Sequence, residues 1–173
     1  MFRKEYFSPL GTVLLISDKG RLVYCNWVDE DCESKLVSIE SMLSKDFNEI
    51  DKNVVDLTIN QLDDYFGGRI NSFSVPKEFY GTSFQKKVWD CISEIPYGMT
   101  ITYGALAIRV GNPKGIRAVA RACGSNPIAI ICGCHRVVGK GNNLGGYTGG
   151  ISKKEWLLSH EKGNLSNKIL QKA

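Results

Sequence analysis

The sequence predicts an α/β fold in two parts, a sheet-and-helix first half followed by a mostly helical second half. Three observations carry this. The chain opens with three short β-type runs separated by turn residues. Apolar residues then recur at helical intervals. After Gly81 the charge reverses: residues 1–81 hold 9 basic and 14 acidic side chains, whereas residues 82–173 hold 13 basic and 4 acidic ones. With 173 residues, one large or two small domains are expected. The expected boundaries are 1–78, 79–163 and a short tail, 164–173.

Each element has a local reason. Glu5–Phe7, Thr12–Ile16 and Arg21–Val28 are rich in β-branched and aromatic residues. Pro9-Leu10-Gly11 and Asp18-Lys19-Gly20 break them, so the spacing predicts an antiparallel meander. Residues 31–47 carry leucine and isoleucine at helical spacing. A second helix spans Asp56–Phe66 and stops at Gly67-Gly68. Ile70–Val75 alternates as a strand does, and Lys77–Gly81 reads as a linker. Thr82 or Ser83 caps a helix running to Ile95, and Pro96-Tyr97-Gly98 ends it. Tyr103–Val110 and Lys114–Gly124 read as two helices around Gly111-Asn112-Pro113. Such a pair is either a helix-turn-helix or a plain αα-hairpin. Ile128–Ile131 and Val137-Val138 have strand composition, and a glycine-rich loop fills Gly139–Gly150. Ser152-Lys153-Lys154-Glu155 has the pattern of a capping box and opens a helix through Glu161. Residues from 163 onward read as a loose tail.

Composition narrows the classes. No run of about 18 apolar residues exists, so no transmembrane helix is expected. The start, Met1-Phe2-Arg3-Lys4-Glu5, lacks the apolar core of a signal peptide, which points to a cytoplasmic protein. Six cysteines at irregular spacing in a chain long enough for an apolar core are expected to be reduced thiols. The basic second half suits a polyanion, and a solvated lysine-rich surface is the plainer alternative.

The chemistry gathers in Asn126-Pro127-Ile128-Ala129-Ile130-Ile131-Cys132-Gly133-Cys134-His135-Arg136-Val137-Val138. The composition predicts an apolar strand that delivers a cysteine flanked by histidine and arginine. The thiolate is the nucleophilic form, and cationic neighbours or a base favour it. His135 could take the proton directly or through water if a carboxylate orients its ring. Glu161 and Glu155 are the candidates for that carboxylate. Neighbours in a strand point to opposite faces, so the chain must turn here for Cys134 and His135 to cooperate. An inert buried cysteine, and a metal site using Cys123, Cys132, Cys134 and His135, remain the alternatives.

Taken together, Cys134-His135-Arg136-Val137-Val138, the upstream Asn126-Pro127 and Gly145-Gly146-Tyr147-Thr148-Gly149-Gly150 followed by Lys154-Glu155-Trp156-Leu157-Leu158 and His160-Glu161 resemble the O6-alkylguanine-DNA alkyltransferases. Ser83–Trp89, Pro96-Tyr97-Gly98, Thr102-Tyr103-Gly104 and Asn112–Val119 extend the resemblance from Thr82 to Glu161 without a gap. The first 80 residues match loosely. The resemblance implies an RNase H-like N-terminal domain and a winged-helix-like helix-turn-helix in the C-terminal domain. It implies transfer of an alkyl group from guanine O6, and in some members thymine O4, to the protein's own cysteine. The reaction consumes the protein.

By position the acceptor is Cys134, with His135 as base through a water, Glu161 orienting His135 and Asn126 bracing the turn. Tyr103 is the expected donor to guanine N3. The second helix of the helix-turn-helix would enter the minor groove of double-stranded DNA and flip the base out. Gly115, Ala118 and Ala122 would allow its close approach, and Arg117 would fill the gap. Arg121 would touch phosphate. Close packing inside the protein is the rival reading for Ala122. The base pocket is expected to include Tyr103, Ala129, Cys134, Val137, Tyr147 and Thr148. Tyr147 would stack on the base, amides near Thr148 would reach O6, and the Cys134 and Val137 carbonyls would accept from the guanine amino group. Trp156, Leu157, Leu158 and Trp89 are expected in the core, and His160 in a structural role. No metal or cofactor is expected, and the family usually acts as a monomer.

Four positions depart from the pattern, the mildest being Thr148, which replaces a frequent serine and keeps a hydroxyl. Gly133 replaces the usual proline before the reactive cysteine, which leaves the turn less constrained. Cys132 adds a second thiol, either buried or able to pair with Cys134 under oxidation. Ala129 replaces a frequent proline and could widen the pocket. Three rivals stand beside alkyl transfer: a lesion sensor without transfer, a thiol hydrolase or redox protein, and a metal-sensing regulator. Sensor-type relatives lack the cysteine that is present here.

Overall fold

The computed structural model describes residues 1–28, 36–37, 39 and 41–170. The chain forms two compact units, residues 1–80 with 127–131, and residues 81–126 with 132–173.

The first unit is built on a three-stranded antiparallel meander, β1 (Phe2–Ser8), β2 (Gly11–Asp18) and β3 (Arg21–Trp27), in that order. Asp18 pairs with Arg21 across a two-residue turn. Lys19 and Gly20 both have positive φ there, 51° and 74°, as a hairpin turn matching the strand twist requires. Helix α1 (Glu49–Phe66) crosses the sheet. It starts earlier than its apolar periodicity predicts, because the Asn48 side chain accepts from the Ile50 amide, and Glu49 and Asp51 suit the first turn. Its buried stripe includes Val54, Val55, Thr58, Leu62 and Tyr65. Ile16, Val23 and Tyr24 of the sheet share a core cluster with Ile39 and Leu43.

Three expectations for this unit change. Residues 31–35, 38 and 40 of the helix expected at 31–47 lie outside the described residues; residues 36, 37 and 39 are helical, whereas 41–48 form turns and coil. Ile70–Val75 is not a strand. Its backbone is held by a helix side chain instead: the Ser74 amide donates to Gln61 Oε1 at 2.8 Å, and Gln61 Nε2 donates to Ser74 Oγ at 2.7 Å. Ile128–Ile131 also makes no regular strand. Only an isolated bridge joins Ile128 to Cys25, with the Ala129 amide donating to the Cys25 carbonyl. Ile130 then takes φ 67°, and the Ile131 amide donates back to Ala129 O at 2.7 Å. A β-branched residue there costs roughly 1–3 kcal/mol. It persists because Ile128 and Ile130 are fully buried. The chain therefore reaches the chemical segment by tight turns.

The second unit is mostly helical. Helix α2 (Ser83–Ser93) opens with a complete capping box between Thr82 and Gln85. Trp89 is buried on it and donates from Nε1 to Ala122 O at 2.7 Å. Strand β4 (Ile101–Thr102) leads into α3 (Tyr103–Arg109), where the Thr102 side chain caps the helix. A turn through Gly111 (φ 76°) connects to α4 (Ile116–Gly124), completing the helix-turn-helix. A 3-10 turn at Cys134–Arg136 precedes β5 (Val137–Val138), which pairs parallel with β4. Helix α5 (Ile151–Leu170) closes the unit.

Helix α5 begins one residue before Ser152 and continues well past Glu161, so the segment up to Leu170 is not a loose tail. Asn164 Nδ2 donates to the Tyr97 hydroxyl at 3.1 Å, and Leu165 packs over Gly98. Residues 171–173 of the expected tail lie outside the described residues. Trp156 is also not in the core. It is 38% exposed and stacks on His160 at 4.7 Å between ring centroids, while Leu157 and Leu158 are buried. No described helix is long and apolar enough to cross a membrane.

Candidate active site

The Cys134–Arg136 turn solves the problem that a strand would pose. The Cys134 amide donates to Cys132 O at 2.6 Å, and the Arg136 amide donates to Gly133 O at 2.9 Å. This rotates successive side chains away from two-faced alternation. Gly133 has φ −65°, the value a proline ring would impose. Its missing side chain also leaves room for Arg136, whose guanidinium lies within 2.9 Å of where a Cβ would stand.

Behind the turn lies a buried polar triad. His135 Nε2 is 2.8 Å from Glu161 Oε1. Arg136 donates to the same carboxylate, from Nε to Oε2 at 3.0 Å and from Nη2 to Oε1 at 2.9 Å. Its Nη1 donates to Ile95 O at 2.7 Å, and the Gly98 amide donates to Glu161 Oε2 at 2.7 Å. His135 and Glu161 are fully buried. Burial alone would push the Glu161 carboxyl up, but hydrogen bonds and charge from His135 and Arg136 hold it far below the usual carboxylate range. Burial pushes His135 below the ordinary histidine value, against the pull of Glu161. The imidazole is therefore neutral at physiological pH. With Nε2–H donating to the anionic carboxylate, Nδ1 carries the free lone pair. Among the described residues Nδ1 has no hydrogen-bond partner.

Cys134 is buried, and burial pushes its thiol up. A hydrogen bond from Asn126 and the charge of Lys154 pull the other way. Asn126 Nδ2 also donates to Cys132 O at 3.1 Å, joining both ends of the bend. The sulfur-bearing residue opens into a cavity of about 460 Å³ lined by Tyr103, Cys123, Tyr147 and Thr148 among others. That volume is within the range of small-molecule sites. Burial pushes the Tyr103 phenol up to about 12, so it stays a proton donor. Gly145, at φ 66°, lets the wall loop pass so close that a Cβ would stand 2.9 Å from the Tyr103 ring. Thr148 spends its hydroxyl on Gly124 O at 2.6 Å, tying the loop to the end of α4.

The remaining residues divide by location. Arg117, Ala118 and Arg121 are exposed on α4. Arg121 lines the cavity and also a neighbouring groove that includes Ala118, Ala122, Phe84 and Gln85. Ala122 is 4% exposed, so close packing accounts for most of its surface. Gly115 caps α4, and a side chain there would collide with Asn112 inside the turn. Ala129 is buried in the first unit and is not among the cavity's lining residues. Val137 is fully buried, and its carbonyl already accepts from Lys154 at 2.6 Å. Cys132 is fully buried and points its thiol at Trp89 O, 3.5 Å away. Glu155 is exposed on α5, whereas Glu161 meets His135.

Two further residues lie at the site although the sequence reading assigns them no part in the pocket. Cys123, on α4, shares the cavity with Cys134. Lys154 is a fully buried lysine beside it. The sequence places Lys154 in a charged run at a helix start, where a solvated side chain is the default. The seven-residue spacing from Lys154 to Glu161 does put both on one face of α5, which is the signal that could have found it.

Comparison with known proteins bears on all of this. Residues 83–163 match the DNA binding domain model of 6-O-methylguanine DNA methyltransferase, and residues 1–79 match its ribonuclease-like domain. The chain is 41% identical over 163 residues to a methylated-DNA–protein-cysteine methyltransferase of Methanosarcina acetivorans, covering 93% of this chain and 98% of that one. It is 48% identical over 136 residues to a probable methylated-DNA–protein-cysteine methyltransferase of Acanthamoeba polyphaga mimivirus, covering 78% and 87%. Its fold is similar to that of the Mycobacterium tuberculosis O6-methylguanine methyltransferase, with a TM-score of 0.78, 35% identity, and 94% and 93% of the two chains covered. A structure of the mycobacterial protein in complex with DNA gives a TM-score of 0.77 at 32% identity over the same shares. With both domain models matched in order and the cysteine–histidine–glutamate geometry in place, the chain belongs to the 6-O-methylguanine DNA methyltransferase family.

Proposed function

We propose that this protein repairs DNA by moving the alkyl group of O6-alkylguanine onto its own Cys134. The observation that carries the reading is a buried cysteine opening into a base-sized cavity, backed by a neutral histidine with an orphaned Nδ1 and a fixed carboxylate. His135 Nδ1 accepts the thiol proton through a bridging water. The sulfur forms a bond to the alkyl carbon as the carbon–O6 bond breaks. Guanine leaves with the electron pair, and the Tyr103 phenol donates to N3 as that charge develops. The product is a thioether, which has no easy leaving reaction, so each molecule reacts once.

The target atom lies inside the duplex, so the base is extruded. Helix α4 enters the minor groove, with Gly115 and Ala118 permitting close approach and Arg117 filling the vacated stack. Arg121, at the cavity rim, contacts phosphate. Tyr147 stacks on the base, and loop amides near Thr148 reach O6. Val137 O keeps a second lone pair for the guanine amino group, beside Cys134 O. The protein acts as a monomer in the cytoplasm, where thiols stay reduced.

The direct test is intact mass after mixing with excess duplex carrying O6-methylguanine. One added methylene mapped to Cys134, with guanine restored, is the expected result. Tight lesion binding without a mass change would make the chain a sensor. No binding and no change would sink the reading.

A further inference from the structure

Lys154 is a fully buried lysine whose charge is answered by no carboxylate among the described residues. Its ammonium donates to Val137 O at 2.6 Å, to Gly146 O at 3.2 Å, and to Leu144 O. These carbonyls come from two segments, strand β5 and the cavity's wall loop. The Nζ atom is also 5.8 Å from the centroid of the Tyr103 ring. Gly146 O accepts from the Tyr103 hydroxyl as well, at 3.4 Å. All three ammonium protons are therefore spent on backbone, and the hydrogen-bonding need of the group is met. Its charge is not. Burying an ammonium without an opposite charge is costly, and satisfied carbonyls offset only part of that. Burial pushes this lysine below its ordinary value, and the sulfurs of Cys123 and Cys134, which line the same cavity as Tyr103 and Gly146, favour its charge.

The other charged or titratable groups near the acceptor do not supply an anion to it. Glu161, on α5, is already committed to His135, Arg136 and the Gly98 amide. Arg136 and Lys154 are both cationic and both disfavour protonation of His135, on the turn. Tyr103, on α3, is held neutral by burial. Cys123, on α4, is buried and pushed well above the ordinary thiol value. The Cys134 sulfur is the one group in this set that the reaction itself makes anionic.

We propose that Lys154 is a positioning residue for the acceptor: it pins the wall loop to β5, and its uncompensated ammonium is the countercharge for the Cys134 thiolate. The proposal rests on reading Cys134 as the alkyl acceptor. It assigns one residue two linked tasks. The loop that carries Tyr147 is held in shape by the same group that favours the nucleophile. Because every N–H is used, the ammonium acts on the sulfur through space and leaves it unobstructed.

The test uses a small electrophile that needs no DNA. The rate of Cys134 modification by iodoacetamide is followed against pH, by peptide mapping, for the full chain and for Lys154→Met and Lys154→Arg. The Cys123→Ser background removes the second cavity thiol from the readout. Lys154→Met should move the midpoint of the pH profile upward, with roughly a tenfold slower reaction at neutral pH for each unit moved. Lys154→Arg should restore the midpoint at least in part. Circular dichroism shows whether each variant is folded. A folded Lys154→Met with the original midpoint would overturn the proposal, because loss of packing alone slows reaction without moving the profile.

A measurement on the unsubstituted chain covers the case where Lys154→Met does not fold. The ammonium signal protected from solvent exchange should shift in nitrogen NMR over the pH range in which Cys134 becomes reactive. That titration should vanish once iodoacetamide has capped the sulfur. A signal indifferent to both would overturn the proposal. If the unsubstituted chain takes no alkyl group from DNA, the proposed function fails, while these two readouts still report the Lys154–Cys134 coupling.

Discussion

The acceptor turn and the exposed face of α4 lie in the same unit and use cationic residues in opposite ways. In the turn, Arg136 is buried, with its guanidinium donating to Glu161 and Ile95 O. On α4, Arg117 and Arg121 are one helical turn apart and exposed to solvent. The buried arginine is locked into one geometry before any substrate arrives. The exposed pair keeps its side-chain freedom until something negative is met. This division separates preorganised chemistry from adaptable recognition, and it sets how each region responds to substitution.

The largest expected effect is on the turn. Cys134→Ala should abolish the mass gain from lesion DNA while leaving DNA binding intact. A retained mass gain would show that Cys123, which shares the cavity, is the acceptor. Glu161→Gln comes next. It leaves Arg136 as a buried charge without its countercharge, which costs about 3–5 kcal/mol of stability. Chemical denaturation measures this, and an unchanged midpoint would mean that the triad is not formed.

The same substitution gives a pH signature. The Glu161 carboxyl is depressed in the folded state, so its contribution is present above the unfolded carboxylate value of about 4.3 and is lost as pH falls. Glu161→Gln should therefore flatten the acid limb of stability. For the transfer rate, burial holds His135 neutral, so the acid limb should lie below the ordinary histidine value of about 6.5. An acid limb centred above that would contradict a buried, neutral base.

Effects on α4 are smaller and depend on the partner. Arg117→Ala should slow reaction with duplex DNA roughly 10- to 100-fold, matching the few kcal/mol needed to extrude a base. Reaction with the same lesion in a single strand should be spared. Equal loss on both would argue against an intercalating role. Arg121→Ala should weaken binding to all sequences alike and lower the salt dependence by about one phosphate contact. An unaltered salt slope would remove Arg121 from the phosphate contacts.

Much of this was legible in the residues. The hairpin turn at Lys19-Gly20, the Thr82 capping box and the helix-turn-helix around Gly111 are local, and local rules reach them. Glu161 was legible as the partner of His135 only with Glu155 as a competitor, and the resemblance favoured it. The failures share a cause. Ile70–Val75 has the alternation of a strand, but a strand needs a partner edge, and Gln61 on α1 supplies its hydrogen bonds instead. Ile128–Ile131 has strand composition, but the bridge to Cys25 and the strained Ile130 turn it. The segment after Gly163 has little to mark it as a helix until Tyr97 and Gly98 give it something to pack on.

The sequence by itself determined the Cys134-His135 pair and the family, because those depend on residue types in a fixed order. Only the tertiary structure decided which nitrogen of His135 is left free, that Cys123 enters the cavity, that the Val137 carbonyl is already shared, and that Lys154 is buried. Each of these depends on distances between residues far apart in the chain. Burial is what turns an ordinary lysine or histidine into one whose protonation state is coupled to the group beside it.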